Sequence, residues 1–473
     1  MWWADAVVYQ VYPRSFQDSD GDGVGDLAGM RSRLDHLAWL GVDALWMSPI
    51  YPSPLADFGY DVSDYTAIDP VFGGLAEFDA LVKEAHARGL RVLMDVVPCH
   101  TSIEHPWFRE HPDWYVWRDE PNNWPSAFGG SAWTRRGDRF YLHSFYPEQP
   151  DLDWRNPEVV AAMQDVLRFW LARGVDGYRI DAIDRLMKDP ELRDEPPAAE
   201  PFGLPLTDEE AKLARIHALN APDTAEALAT IRAACGDAFL VGEIYLPSAK
   251  WQPYLEHLDA AFAFELLFAP WDAGALRGAI EATTSGPGAA WVMSNHDFGR
   301  LATRFGAENA RAAALLLLTL PGAAFLYQGD EIGQRDGPPG ESRYDRAGRD
   351  RYRHPMQWTG DPAGGFTTGT PWLPLVDPWH SNVEAQRDDP ASMLSLVREL
   401  IALRRTLGDG LRLLDAAPGV LAYERGDHTV AVNTTGDARP APVGGEVALG
   451  TQSAALRDGT LAPHAGVVAA GRG

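Results

Sequence analysis

The chain has 473 residues, 45% of them hydrophobic, and a formal net charge of -26. That length exceeds what one core usually organises, so two or three domains are expected. The acidity disfavours nucleic acid and anionic membrane surfaces as partners and suits an uncharged substrate.

The opening MWWADAVVYQVYPRSF lacks a basic stretch followed by an apolar run, so no signal peptide is read there. Its segment AVVYQVYPRSF is the first predicted strand. Next comes DSDGDGVGD, in which Asp18, Asp20, Asp22 and Asp26 recur and glycines permit a tight wrap. The spacing resembles a calcium loop. Carboxylates stand at positions one, three and five, and the Val24 backbone carbonyl at seven. Asp26 at nine stands in for the missing Glu at twelve, where Gly29 sits. A structural Ca2+ is therefore expected. The acids would repel phosphate, so this glycine-rich loop is not read as a nucleotide site, and no organic cofactor signature is evident.

ALWMSPI and RVLMDVV are strands two and three, separated by LAEFDALVKEAHARG, whose apolar residues recur at helical spacing up to Gly89. Residues 101–153 form a Trp- and Pro-rich excursion. AAMQDVLRFWLARG is a further helix, closed by Gly174. Strands four to eight follow as VDGYRID, FLVGEIY, AAFAFELLF, AAWVMSN and AAFLYQGDEIG. A second excursion, about 333–389, is rich in Gly, Pro and charge. Loops this long are usually functional. Eight apolar strands alternating with helices predict a (β/α)8 TIM barrel over 1–100 and 154–405, with 101–153 an inserted subdomain. Residues 406–473, with VLAYERG and HTVAVNTT, read as a small C-terminal all-β domain. The longest apolar runs, such as AAALLLLTL, are too short to span a bilayer. Only two cysteines occur, Cys99 and Cys235, so no disulfide framework exists. A soluble, cytoplasmic protein is expected.

Four predicted strands end in acid, base or cation: His100, the pair Arg179 and Asp181, Glu243, and Asn295-His296-Asp297. The C-terminal ends of barrel strands are where active sites are built. Arg179 and Asp181 lie two apart, so their side chains share a face, and a guanidinium beside a carboxylate favours the ionised nucleophile. Glu243 is the natural general acid/base, with its pKa raised by Asp181 and Asp297. Asp297, His296 and His100 are placed to hold sugar hydroxyls. Paired carboxylates of this kind cleave glycosidic bonds. Most of the 17 Trp and 15 Tyr belong to the core, and some should face sugar rings in a groove.

The segments DVVPCH, GYRIDAID, GEIY and SNHD resemble, in order and spacing, four signature regions of the α-amylase superfamily of glycoside hydrolases. QPDLDW resembles the fifth, in the form typical of the oligo-1,6-glucosidase and α-glucosidase branch. YQVYPRSFQDSDGDGVGDLAG, SPLADFGYDVSDY and RHPMQW extend the likeness over roughly residues 1–405. The resemblance implies that Asp181 is the nucleophile, Glu243 the acid/base and Asp297 the transition-state stabiliser. It places Tyr60, Asp61, His100, Arg179 and His296 around a bound glucose, with Arg353 against the same sugar. Branch relatives carry a calcium in the DSDGDGVGD loop. The family usually has Asn where this chain has Cys99, and in α-amylases that Asn helps hold a calcium. A thiol is a poor ligand for calcium, so none is expected there, and Cys99 reads as a packing residue.

The resemblance implies a retaining, exo-acting α-glucosidase that removes the non-reducing glucose of short α-glucosides and transfers it to water or an acceptor. Ala182, next to the nucleophile, is expected beside the first acceptor subsite. Relatives favouring α-1,6 bonds usually carry Val there, so Ala182 points to α-1,4-linked or sucrose-like substrates. The alternatives are an oligo-1,6-glucosidase, a trehalose synthase that isomerises maltose, or, more remotely, a non-catalytic sugar-binding subunit. The oligomeric state is not legible in the sequence.

Overall fold

The structure is a computed structural model that describes residues 1–199, 204, 206–286, 288–340 and 344–471. Strands β1 (Val7–Val11), β2 (Ala44–Met47) and β3 (Arg91–Val96) come first. The excursion contributes β4 (Trp117–Arg118), β5 (Trp133–Arg136) and β6 (Arg139–Leu142). Then come β7 (Gly177–Ile180), β8 (Phe239–Gly242), β9 (Ala260–Phe262), β10 (Ala289–Val292) and β11 (Ala323–Tyr327). The parallel strands β1, β2, β3, β7, β8, β9, β10 and β11 close on themselves in that order. Val8 faces Ala44 on one side and Phe325 on the other, which seals the barrel.

Period-two alternation fills the interior. Val8, Trp46, Leu93, Val241, Phe262, Val292 and Phe325 form a buried inner cluster. Trp46 packs on Phe262 and Phe325, with ring centroids 5.7 and 6.0 Å apart. Trp2 and Trp3 pack on Phe239 at the opposite end, each at 5.4 Å. The outer helices bury apolar stripes. In Leu75–Ala87 the stripe is Phe78, Leu81, Val82 and Ala85. The Gly74 amide donates to Glu77 Oε2 at 3.0 Å to start that helix, and Gly89 at φ +77° ends it. Burying Phe78, Leu81 and Val82 contributes roughly 1.5–3 kcal/mol each.

The sheet β4–β6–β5 lies in the excursion after β3, with Trp124, Trp133 and Leu142 at its core. Past the barrel come β12 (Leu411–Leu413), β13 (Val420–Arg425), β14 (His428–Asn433), β15 (Arg439–Pro440), β16 (Val447–Gly450), β17 (Leu456–Arg457), β18 (Thr460–Leu461) and β19 (Gly466–Ala470). They build a five-stranded and a three-stranded antiparallel sheet. Arg425 of β13 pairs with Asp5 at 2.6 Å and so docks these sheets on the start of the barrel, beside Arg404 of the helix Met393–Arg404, which pairs with the same carboxylate at 2.8 Å.

Several predicted strands are shorter than their apolar runs. AVVYQVYPRSF leaves the sheet at Val11, because Pro13 opens a 3-10 turn. In AAFAFELLF only Ala260–Phe262 is strand, and Phe264–Phe268 is helix. Both forms are apolar all round when buried, so periodicity does not separate them. A third excursion, 186–223, follows β7 and was not foreseen. It begins with the buried residues Leu186, Met187 and Lys188 and carries the short helix Asp208–Ala211. Residues 200–203 and 205 of it, and 341–343 of the excursion after β11, lie outside the described residues. Among the described residues no helix is long and apolar enough to cross a membrane.

Candidate active site

The alternation that fills the barrel also delivers the acids. Leu93, in the inner cluster, is followed two residues later by Asp95, and Val241 by Glu243. Arg179 and Asp181 follow the same spacing on β7. Arg179 stands over the Trp46 ring, its guanidinium carbon 5.4 Å from the centroid, so the aromatic floor of the site is the top layer of the core. Its Nη1 donates to Asp95 Oδ1 at 2.8 Å and to Asp181 Oδ1 at 2.6 Å. Its Nη2 lies 2.7 Å from Glu243 Oε1. The Tyr245 hydroxyl donates to Glu243 Oε1 at 3.2 Å, and the Ala182 amide to Oε2 at 3.1 Å.

One guanidinium therefore serves three buried carboxylates. Burial raises the pKa of Asp181 well above the usual carboxylate range, Glu243 and Asp95 add to the rise, and Arg179 opposes it. Burial likewise lifts Asp95 to about 7 against the pull of Arg179. The Arg179 expected beside Asp181 is there, but it is shared: Asp95 and Glu243 contact the same guanidinium.

Asp297 behaves oppositely. Burial would raise it, but the Arg349, Arg353 and Arg179 guanidiniums outweigh burial and hold it below the ordinary range. Arg349 Nη1 and Arg353 Nη2 contact its Oδ1 at 3.0 and 2.9 Å. His296 is pushed down to about 3 by burial and is neutral. Its Nδ1 meets Gln10 Nε2 at 2.8 Å, and its Nε2 meets the Tyr60 hydroxyl at 2.7 Å. With the Gln10 amide donating to Nδ1, the ring proton sits on Nε2, 3.2 Å from Asp297 Oδ2.

These groups surround a cavity of about 460 Å³ lined by Asp57, Tyr60, His100, Asp181, Glu243 and Asp297, with Phe128, Phe145, Tyr146, Leu206, Tyr245 and Phe298 among its apolar walls. That volume is in the range of small-ligand pockets. Tyr60, His100, Asp181, Glu243 and Asp297 meet at this cavity, with Arg179 and His296 directly behind them. Asp61 does not reach it. Its carboxylate accepts from the Ser53 hydroxyl and the Ala56 and Asp57 amides, at 2.6, 2.8 and 2.9 Å, and it is fully buried. The wall residue is Asp57, which Arg349 joins to Asp297. Arg353 is not among the lining residues either. It is fully buried, and its Nε donates to the His296 carbonyl at 2.9 Å. Arg349 and Arg346 line the cavity instead. Nothing in GRDRYRH separates these arginines by composition. Ala182 is buried beside Ala127 and Phe145, both of which line the cavity, and has φ +44°.

Asp18, Asp20 and Asp22 bring carboxylate oxygens within 4.8 Å of one another, a donor set suited to a hard cation. Asp26 stands apart from that group. Its Oδ1 caps the helix Leu27–Ser32 through the Gly29 amide at 2.7 Å, and its Oδ2 accepts from the Ser19 amide at 2.7 Å. Val24 donates its amide to Asp22 Oδ1 at 2.7 Å. At the joint between barrel and first excursion, Cys99 is fully buried and burial raises its thiol pKa. Beside it Lys188 Nζ contacts Asp151 Oδ2 at 2.6 Å.

Residues 10–410 match the model of the α-amylase catalytic domain. The chain is 40% identical to a probable alpha-glucosidase of Rhizobium meliloti, over 85% of this chain and 82% of that protein. It is 36% identical to the oligo-1,6-glucosidase of Parageobacillus thermoglucosidasius, over 86% and 84%. The crystal structure of an alpha-glucosyl transfer enzyme, XgtA, superposes with a TM-score of 0.90 and 38% identity, covering 100% of this chain and 99% of that one. The chain therefore belongs to the α-amylase family of glycoside hydrolases.

Proposed function

We propose that the protein is a retaining, exo-acting α-glucosidase acting on short neutral α-glucosides, α-1,4-linked or sucrose-like, with transfer to acceptor hydroxyls as a second outcome. The observation that carries this reading is the single Arg179 guanidinium touching both Asp181 and Glu243 at 2.6 and 2.7 Å. Such a bridge supports the short carboxyl separation of a double displacement, about 5 Å, over the wider gap that admits a water. An Asp181 oxygen attacks the anomeric carbon while Glu243 gives its proton to the departing glycosidic oxygen. The bond to the leaving sugar breaks and a β-glucosyl ester forms. Glu243 then takes a proton from water or an acceptor hydroxyl, whose oxygen displaces Asp181 and restores the α-configuration. Asp297, held anionic by Arg349 and Arg353, accepts from sugar hydroxyls and stabilises positive charge on the ring.

The ion-paired Asp57, Arg349 and Asp297 form a charged part of the cavity wall, which favours a terminal glucose over the middle of a polymer. Calcium held by Asp18, Asp20 and Asp22 would steady the first barrel loop without taking part in the reaction. Two buried, unpaired thiols support a reducing compartment such as the cytoplasm. The test is product analysis with maltose, isomaltose, sucrose, trehalose and an aryl α-glucoside, following anomers by NMR. Release of α-glucose first is expected. Release of β-glucose would overturn retention. Conversion of maltose to trehalose with little free glucose would make the protein an isomerase.

A further inference from the structure

Polarity and exposure change from the floor of the cavity to its rim. Asp181 and Glu243 are only 6% and 5% exposed. At the rim, Phe128, Leu206 and Thr207 are half-buried, and Arg346 and Ala347 are exposed. Phe128 packs on Tyr146 with ring centroids 4.3 Å apart, and the Arg346 guanidinium carbon lies 3.7 Å from the centroid of Tyr146. Glu148 grips that guanidinium as a fork: Oε2 lies 2.8 Å from Nη2, and Oε1 lies 3.3 Å from Nη1. Glu148 belongs to the excursion after β3 and Arg346 to the excursion after β11, so one ion pair spans the rim.

Among the described lining residues the cationic charge is already matched. Among the described lining residues the cations are Arg346 and Arg349. Arg349 is consumed by Asp57 and Asp297, and Arg346 by Glu148. Deeper in, Asp181 and Glu243 share Arg179 with Asp95. A leaving group that carries a negative charge meets acids below it and a cation already paired beside it. An uncharged sugar or aryl group meets a flat face of guanidinium and aromatic rings. Stability does not account for the pair: both side chains are more than a third exposed, and exposed pairs contribute little to stability.

We propose that Glu148 is a specificity-determining residue. By holding Arg346 flat on Tyr146 it reserves the outer subsite for uncharged leaving groups and acceptors, and excludes phosphorylated or carboxylated ones. Glu148 acts through Arg346 and does not itself touch the reacting atoms. The inference rests on the α-glucosidase reading and names the leaving-group class of that same site.

The experiment compares 4-nitrophenyl α-glucoside with 3-carboxy-4-nitrophenyl α-glucoside, which differ by one carboxylate on the leaving group. Initial rates are measured for the full chain, for Glu148→Gln and for Glu148→Gln with Arg346→Ala. The unaltered enzyme is expected to favour the neutral glucoside at least tenfold. Glu148→Gln frees a guanidinium for a charge-assisted contact and should narrow that ratio about tenfold, mainly through a lower KM for the carboxylated substrate. In 0.5 M salt the gain should shrink, because the rim is open to screening. Arg346→Ala in the same background should restore the original ratio. A ratio unmoved by Glu148→Gln, or a gain that survives removal of Arg346, overturns the proposal. So does an unaltered enzyme that takes both substrates equally. If the folded protein, checked by its melting curve, hydrolyses neither glucoside, it is the α-glucosidase reading that fails.

Discussion

Lys188→Met tests how the first excursion is held on the barrel. Lys188 and Asp151 are 3% and 0% exposed as side chains, and their charged atoms are 2.6 Å apart. Asp151 is held below the ordinary carboxylate range: burial would raise it, and Lys188 together with the Ser144 donors outweighs that. Removing the ammonium leaves a buried carboxylate without its counter-charge, a loss that typically costs 3–5 kcal/mol. Asp151 keeps two other donors, the Ser144 amide at 2.8 Å and the Ser144 hydroxyl at 2.5 Å, so the low end, about 3 kcal/mol, is expected. The cost should depend on pH with a definite sign. In the native protein the depressed Asp151 pKa contributes stability that is present above the unfolded carboxylate pKa and is lost as pH falls. In Lys188→Met the Asp151 pKa rises, protonation relieves the buried charge, and the deficit shrinks toward acid. The assay is urea unfolding followed by tryptophan fluorescence at pH 8 and pH 5.5. The double variant Lys188→Met with Asp151→Asn should recover most of the loss, since a neutral amide can still accept from Ser144. A single variant that loses less than about 1 kcal/mol, or a double variant no more stable than the single, would refute the reasoning.

Four further outcomes are expected. Asp181→Asn and Glu243→Gln should each lower kcat by on the order of 10³-fold or more with an unchanged melting curve, and a tenth of normal activity in Asp181→Asn would reverse that assignment. Chelator should lower the melting temperature of the native protein but not of an Asp20→Ala, Asp22→Ala variant; equal melting of both proteins in calcium would remove the cation from the loop. Ala182→Val puts a β-branched residue at φ +44° and presses on Ala127 and Phe145. It should shift the maltose-to-isomaltose ratio of kcat/KM toward isomaltose by roughly 1–3 kcal/mol, and an unmoved ratio would show that this residue does not set linkage. Burial raises Asp330 to about 7, so its stabilising protonated form is lost as pH climbs from about 4 through 7. Asp330→Asn should flatten the fall in stability over that window by up to about 4 kcal/mol, and an unchanged slope would contradict the burial argument.

Much of the site could be read because the barrel repeats one rule. Period two on each strand carries apolar residues inward until the strand ends, and the next inward residue is polar: Leu93 then Asp95, Val241 then Glu243. Asp181, Glu243 and His296 were legible this way, His100 only by its place shortly after β3, and Asp95 could have been, since it obeys the same spacing. Asp57, Arg349, Arg346 and Tyr146 were not. They lie on long excursions without periodicity, and their places depend on ion pairs between segments far apart in the chain. Asp61 and Arg353 show the converse. Each stood in the right motif, yet folding turned Asp61 onto the Ser53–Asp57 loop and tucked Arg353 behind Asp297.

What the sequence determined by itself is everything that local periodicity and side-chain chemistry dictate: eight apolar strands, the helices between them, and acids delivered to one end of a barrel. Tertiary structure alone decided how charge is shared there. Sequence spacing placed Arg179 beside Asp181, but only closure of the barrel brought Asp95 from β3 and Glu243 from the end of β8 onto the same guanidinium. That contact turned an expected Arg–Asp pair into a cluster of three carboxylates around one guanidinium. The physical reason is range. Hydrophobic alternation acts over a few residues of chain, whereas burial and Coulombic contact depend on distance through space, which the order of residues along the chain does not specify.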